Sequence, residues 1–285
     1  MINMNETAWM VASMVLGLVV GSFINVVIHR LPRMTGVGDD ASIDEDTTVA
    51  NHPMTSVIWT ITSPASHCPN CGHRLSILEN IPLLSFCVLR GMCSACNKRI
   101  PARYPIVELL GAAMAVSCII ALGPTQQGFT AMVFAGFAIT IAFIDLDHLM
   151  IPDPLSRPLL WCGLMVNAFG VFTPPGDAIF GAVAGYSTLW IVNSIATPLL
   201  GRAAIGQGDF KLFAAIGAWL GWQALAPTLL IASSTGVVIG YTSIWTGRMN
   251  KGRPICFAPF LLIGALVIML SDGRLMMWLS EVLSP

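Results

Sequence analysis

Two short segments carry aspartates where apolar runs end. One reads Phe143-Ile144-Asp145-Leu146-Asp147-His148-Leu149-Met150-Ile151-Pro152-Asp153, the other Gly206-Gln207-Gly208-Asp209-Phe210-Lys211-Leu212. Carboxylates at membrane depth are costly to keep, which makes them functional candidates. Two carboxylates brought together can share a proton. One then takes a proton from water while the other, protonated, polarises a carbonyl. Taken singly, each residue has a plainer reading. Asp209 suits an N-cap, and Asp145, Asp147 and Asp153 suit an interface with water. A pair of sites on one membrane face favours the dyad. Gly206 and Gly208 remove side chains beside Asp209, which would let an extended peptide approach the backbone.

The second constellation is Cys68-Pro69-Asn70-Cys71-Gly72 and Cys93-Ser94-Ala95-Cys96. Each pair can turn two thiolates toward one tetrahedral ion. The alternative is a pair of disulfides, which a reducing compartment disfavours. Four thiolates leave no open position on Zn²⁺, so such a metal would be structural and not catalytic. It would order a loop region poor in large apolar residues. The remaining cysteines, Cys87, Cys118, Cys162 and Cys256, read as small buried hydrophobes.

Long apolar runs must position these groups. Of the 285 residues 55% are hydrophobic and 10% charged, against about a quarter charged in soluble domains. The mean hydropathy of +0.75 points to lipid as solvent. The first run, Ala8 to Ile28, is long enough to cross a bilayer as a helix. It lacks a basic region before it and is followed by His29, Arg30 and Arg33, as in an uncleaved anchor. Further runs fall near 104–122, 128–144, 157–172, 177–200, 209–222, 225–246 and 257–283. The expectation is an all-α polytopic membrane protein of about eight transmembrane helices. Its parts are a first helix over 1–30, a cysteine-bearing loop domain over 31–103 and a membrane domain over 104–285. The acidic stretch Asp39 to Asp46 reads as a solvated insert.

With eight spans, one set of loops and flanks holds thirteen of the 14 Lys and Arg, and only Arg274 lies in the other. The positive-inside rule puts the cysteine domain in the cytoplasm and the N-terminus outside. A net charge of -1 gives no basic field for nucleic acid. On the first span Ser22, Asn25 and His29 share one helical face, a pattern typical of interhelical contacts.

The ordered set of segments resembles the bifunctional type IV prepilin peptidases, the leader peptidases/N-methyltransferases. The matching residues are Gly21 to Pro32, both cysteine pairs, Glu79 to Pro82, Arg103-Tyr104-Pro105 with Glu108, Ile144 to Asp153, and Gly206 to Leu212. Ile151 stands where that family usually has leucine, and the acidic insert is not a family feature. The resemblance implies a GxGD-type aspartic protease of the bacterial inner membrane with a zinc-ribbon-like cytoplasmic domain. Asp145 and Asp209 fall on its catalytic aspartates, and Cys68, Cys71, Cys93 and Cys96 on its zinc ligands. It implies prepilin and pseudopilin substrates, cut after the glycine that ends a basic leader. It also implies partners in pilus or type II secretion assembly, and methylation of the new N-terminus from S-adenosylmethionine. Gly91 falls on a glycine linked to methylation, although a simple turn explains it equally well.

Two other readings remain in view. A transporter would spread its carboxylates toward midplane, whereas these cluster beside a loop domain. A tethered zinc module would leave the Gly206–Asp209 segment unexplained. For the dyad itself, Asp145 closes a helix and Asp209 opens one. Helix dipoles would then favour Asp209 as the base and Asp145 as the acid.

Overall fold

The computed structural model describes residues 6–35, 68, 70–76, 79, 81–201, 205–247, 256–271 and 273–275. The acidic stretch Asp39 to Asp46 and part of the Glu79–Pro82 segment lie outside them. The described chain is almost wholly helical. Its helices are α1 (Glu6–Met34), α2 (Leu84–Val88), α3 (Arg103–Leu122), α4 (Gln126–His148), α5 (Asp153–Ala168), α6 (Pro175–Leu200), α7 (Gln207–Leu220), α8 (Leu225–Trp245) and α9 (Ala258–Leu270). Each of the eight apolar runs contributes a helix among the described residues.

Length and composition support a smaller number of independent spans among the described residues. Five helical segments are long and apolar enough to cross a membrane alone: α1, α3, α4, α6, and α8 with the turn before it. The other three, α5, α7 and α9, have 16, 14 and 13 residues. At 1.5 Å per residue, α7 spans only about 21 Å, short of a ~30 Å hydrocarbon core. It is buried in protein instead: every residue from Leu212 to Trp219 is buried. A helix packed on all sides does not have to match the lipid thickness.

Local signals end these helices where they must. Thr125 caps α4 by accepting the Gly128 N–H at 3.2 Å. Leu149, left-handed at φ 53°, closes α4, and its N–H bonds Asp145 O at 2.8 Å. Extended Pro152 then opens α5.

Contacts between helix ends define two faces. At one lie Asn25 against Tyr104, Arg103 against Asp147, and Lys211 against Asp153. At the other lie Trp9 against Phe129, Gln127 against Val171, and Gln223 against Asp177. Both aspartate segments belong to the first face.

The opposite ends of α5 and α7 are fastened through Asn167. Its amide donates to Ala218 O and Trp219 O, both at 2.8 Å, and its carbonyl accepts the Phe172 and Thr173 N–H groups. Fully buried Trp219 donates to Leu159 O and meets Phe134 edge-to-face at 5.3 Å. A buried polar group satisfied in this way fixes register. Gly181 and Gly217 let the backbones of α6 and α7 touch, since a methyl group on either would collide with the other's carbonyl.

Candidate active site and metal centre

The four aspartates on the first face fall into two classes. Asp147 pairs with Arg103 Nη1 at 2.6 Å, and that guanidinium lies 5.2 Å over the Phe143 ring. Asp153 accepts from Lys211 Nζ and Arg157 Nη2, each at 2.5 Å. Among the described residues no Lys or Arg pairs with Asp145 or Asp209. Asp145 is 5% exposed and Asp209 half-buried, and the charge of Asp145 acts on Asp209. Ion pairing thus occupies Asp147 and Asp153, whereas Asp145 and Asp209 have no Lys or Arg partner among the described residues.

Two expectations change here. Asp145 Oδ2 accepts the Ala258 N–H at 3.3 Å, and the Cys256 thiol donates to Asp145 O at 3.3 Å. The first turn of α9 therefore meets the last turn of α4. The positive end of one helix opposes the negative end of the other, so helix dipoles do not separate acid from base. The space beside Gly208 is also taken. A methyl group there would sit 2.8 Å from Ile151 Cβ, so this glycine admits the chain's own side chain. At Gly206 an added methyl would instead meet Asp209 Oδ2 at 3.1 Å.

The cysteine pairs form one cluster, with all four sulfurs within 4.8 Å of one another. Cys68 and Cys96 Sγ are 3.9 Å apart, as are Cys71 and Cys93 Sγ. Zn–S bonds of about 2.3 Å in a tetrahedron place sulfurs about 3.8 Å apart. A disulfide needs about 2.05 Å, and all four cysteines are free. The two pairs also repeat one backbone pattern. Cys68 N–H bonds His73 O and Gly72 N–H bonds Cys68 O, while Cys93 N–H bonds Lys98 O and Asn97 N–H bonds Cys93 O. Gly72 and Asn97, at matching positions, are both left-handed. The Asn70 and Cys71 amides hold the Cys68 thiol down to about 6, and the Cys96 and Ala95 amides lower Cys93. Amides that favour thiolate suit a cation. The donor set fits Zn²⁺.

Glu79 braces the two halves of this domain. It accepts from the Ser94 hydroxyl and from the Ser76 N–H at 2.7 Å, and lies 3.4 Å from His73 Nε2. The Ser94 hydroxyl, then the Ser76 amide, hold its carboxyl down to about 2. A lowered acid stabilises above its unfolded pKa near 4.5, and that contribution is lost as pH falls toward 2. The brace is therefore present wherever the thiolates can hold metal. Glu79→Gln is expected to shift acid-induced zinc release to higher pH, measured as metal retained after stepwise acidification. An unchanged release midpoint would show that Glu79 does not brace the domain.

Gly91 is left-handed at φ 70°, and its N–H bonds Phe86 O at 2.8 Å. A methyl group on it would lie 3.0 Å from Phe86 Cζ. The Phe86 ring closes this face, so Gly91 itself offers no room for a nucleoside cofactor. A role in methylation would run through this turn.

Of the scattered cysteines, only Cys118 is fully buried. Cys87 is exposed on α2, which has no buried residues, and Cys162 and Cys256 are half-buried. The stripe on α1 does join helices. Asn25 Nδ2 donates to Tyr104 O at 3.1 Å, and Ser22 hydrogen-bonds the Glu108 carboxylate. That carboxylate also accepts the Leu83 N–H at 2.9 Å. Buried Glu108 thus ties α1 and α3 to the cysteine domain.

Comparison with known proteins agrees with this layout. The bacterial peptidase A24 N-terminal domain model matches residues 15–122, and the type IV leader peptidase family model matches residues 132–241. A prepilin leader peptidase/N-methyltransferase of Aeromonas hydrophila is 40% identical over 95% of this chain and 94% of its own length. The chain belongs to the type IV leader peptidase family. Proteins of the same description from Burkholderia pseudomallei and Pseudomonas aeruginosa are 42% and 40% identical over 88% and 92% of this chain, and over 82% and 90% of their own lengths. No solved structure matches the chain.

Some residues around the aspartates had no role assigned from sequence. Arg103 stands in a matching segment, but nothing local pointed to Asp147. Lys211 lies two residues past Asp209, and its partner is 58 residues away. Cys256 and Ala258 are more than 110 residues from Asp145.

Proposed function

We propose that this chain cleaves the basic leader from type IV prepilins and pseudopilins and then N-methylates the newly exposed N-terminal residue. The observation that carries the reading is the sorting of the aspartates. Asp145 is buried and Asp209 half-buried, and among the described residues neither pairs with a Lys or Arg, while Asp147 and Asp153 are held in ion pairs.

In this reading the ionised member of the pair takes a proton from water as the water oxygen attacks the scissile carbonyl. The protonated member hydrogen-bonds the carbonyl oxygen and stabilises the charge developing there. Collapse of the tetrahedral intermediate expels the amine, which is protonated as it leaves. The pair is left ready for the next turn. Cys68, Cys71, Cys93 and Cys96 would hold a Zn²⁺ whose role is structural, because four thiolates leave it no open position for hydrolysis. S-adenosylmethionine supplies the methyl group.

In the same reading the protein lies in the bacterial inner membrane with about eight membrane-embedded helices, its N-terminus periplasmic and its cysteine domain cytoplasmic. The distribution of Lys and Arg supports this orientation. The substrate's apolar helix lies in the bilayer against the bundle, and its basic leader stays in the cytoplasm, because burying lysines in lipid is costly. Partners are then the pilus or type II secretion assembly that receives the product.

Mass spectrometry of a prepilin co-expressed with the chain tests both activities at once. The expected product has lost its leader and gained one methyl group. An unprocessed prepilin, with the chain inserted and zinc-loaded, would overturn the proposal.

A further inference from the structure

We propose that Ile151, Asp153 and Lys211 are positioning residues. Ile151 seated on Gly208 and Asp153 paired with Lys211 form a clasp that sets the spacing of the Asp145 and Asp209 carboxylates. The inference rests on the protease reading above and concerns what holds its two halves in register.

Asp145 and Asp209 stand on different helices, α4 and α7. Inside the bundle these helices meet through Phe134 and Trp219. Phe134 is eleven residues before Asp145, and Trp219 is ten after Asp209. That leaves roughly 15 Å of helix between the core contact and each carboxylate. A small change in crossing angle over such a lever would shift the carboxylates by an ångström or more. Something near the site must hold the ends together.

The connection from α4 to α5 supplies it. Leu149 and Pro152 fix the path of this short loop, since one is left-handed and the other extended. Ile151 is thereby laid on the first turn of α7, where Gly208 lacks the Cβ that would meet Ile151 Cβ at 2.8 Å. Two residues on, Asp153 reaches Lys211 Nζ at 2.5 Å, from the first turn of α5 to the first turn of α7. Both fastenings join the chain that follows Asp145 to the turn that carries Asp209. Neither Ile151 nor Lys211 lies among the groups that exchange protons in the mechanism. Ala258 holds Asp145 separately from α9, so the clasp fixes the distance between the helices, not the Asp145 rotamer.

The test is steady-state cleavage of a full-length prepilin by the purified, zinc-loaded chain. A 1 Å misplacement costs about 10²-fold in rate, so Gly208→Ala is expected to lower kcat by about that factor with KM little changed. Ile151→Gly in the same chain should restore most of the loss. Ile151→Ala should not, because the Cβ is the atom in conflict. Lys211→Met should lower kcat, Lys211→Arg should retain it, and Lys211→Met with Asp153→Asn should be no worse than either alone, as members of one pair behave.

An equal loss from Gly208→Ala in the wild-type and Ile151→Gly backgrounds, with zinc and insertion intact, would mean that Gly208 faces the peptide. That would overturn the clasp. If the Gly208 variants do not insert, the Lys211 series decides, and wild-type kcat in Lys211→Met overturns it. A wild-type chain that leaves prepilin uncut would instead remove the protease reading itself.

Discussion

Asp145→Asn and Asp209→Asn should each abolish leader cleavage while the protein stays inserted and zinc-loaded. An Asn is close in shape to Asp but cannot exchange the proton, and loss of an acid or base of this kind costs about 10²–10⁴-fold. Removing one carboxylate also strips the other of the partner with which it shares a proton. Asp147→Asn should retain cleavage, because its carboxylate is already committed to Arg103 Nη1 at 2.6 Å. Methylation of a pre-cleaved pilin should survive in both dyad variants, since methyl transfer needs no activated water. That survival separates lost chemistry from lost fold. Cleavage at the wild-type rate by either dyad variant would remove the mechanism. A loss from Asp147→Asn equal to that from Asp145→Asn would move the first catalytic role two residues along.

The second large effect is expected at the metal. Fresh, reduced protein should carry one Zn²⁺ per chain, and Ser at Cys68, Cys71, Cys93 or Cys96 should release it. Structural zinc sites contribute about 10–16 kcal/mol of binding free energy, much of it spent in folding. Among the described residues of this domain few other contacts hold it. Helix α2 buries none of its residues, and among the described residues the remaining ties are hydrogen bonds such as those of Glu79 and of Lys98 Nζ to Asn70 Oδ1 at 3.2 Å. The loss should not stay local. Leu83 is bonded to Glu108 on α3, and Arg103 at the start of α3 pairs with Asp147, two residues from Asp145. Cleavage and methylation should therefore both fall when a ligand is replaced. Elemental analysis without stoichiometric zinc, or a mapped disulfide among these cysteines, would refute the assignment. Full cleavage by a zinc-free Cys93→Ser chain would show that the domain and the dyad are not coupled.

The sequence by itself determined what depends on neighbours along the chain. Apolar runs became helices because lipid leaves no other way to satisfy their backbone groups. The starts of α5 and α7 follow from Pro152 and Gly206, and each Cys-x-x-Cys folds through amides two and three residues away. Charge bias supplied a candidate orientation, since it is a sum over loops and needs no contacts. The tertiary structure decided what depends on partners far apart in sequence. Nothing near Asp147 or Asp153 announces that each will meet a cation from another helix. Nothing near Gly208 shows that Ile151 fills its space, and nothing near Asp145 predicts an amide donor 113 residues away. The shortness of α5, α7 and α9 is decided in the same way. Hydropathy records how apolar a segment is, not whether lipid or protein surrounds it. Four aspartates of one chemical type are thus sorted by the side chains that the fold brings against them: Asp147 and Asp153 into ion pairs, Asp145 and Asp209 without a cationic partner among the described residues.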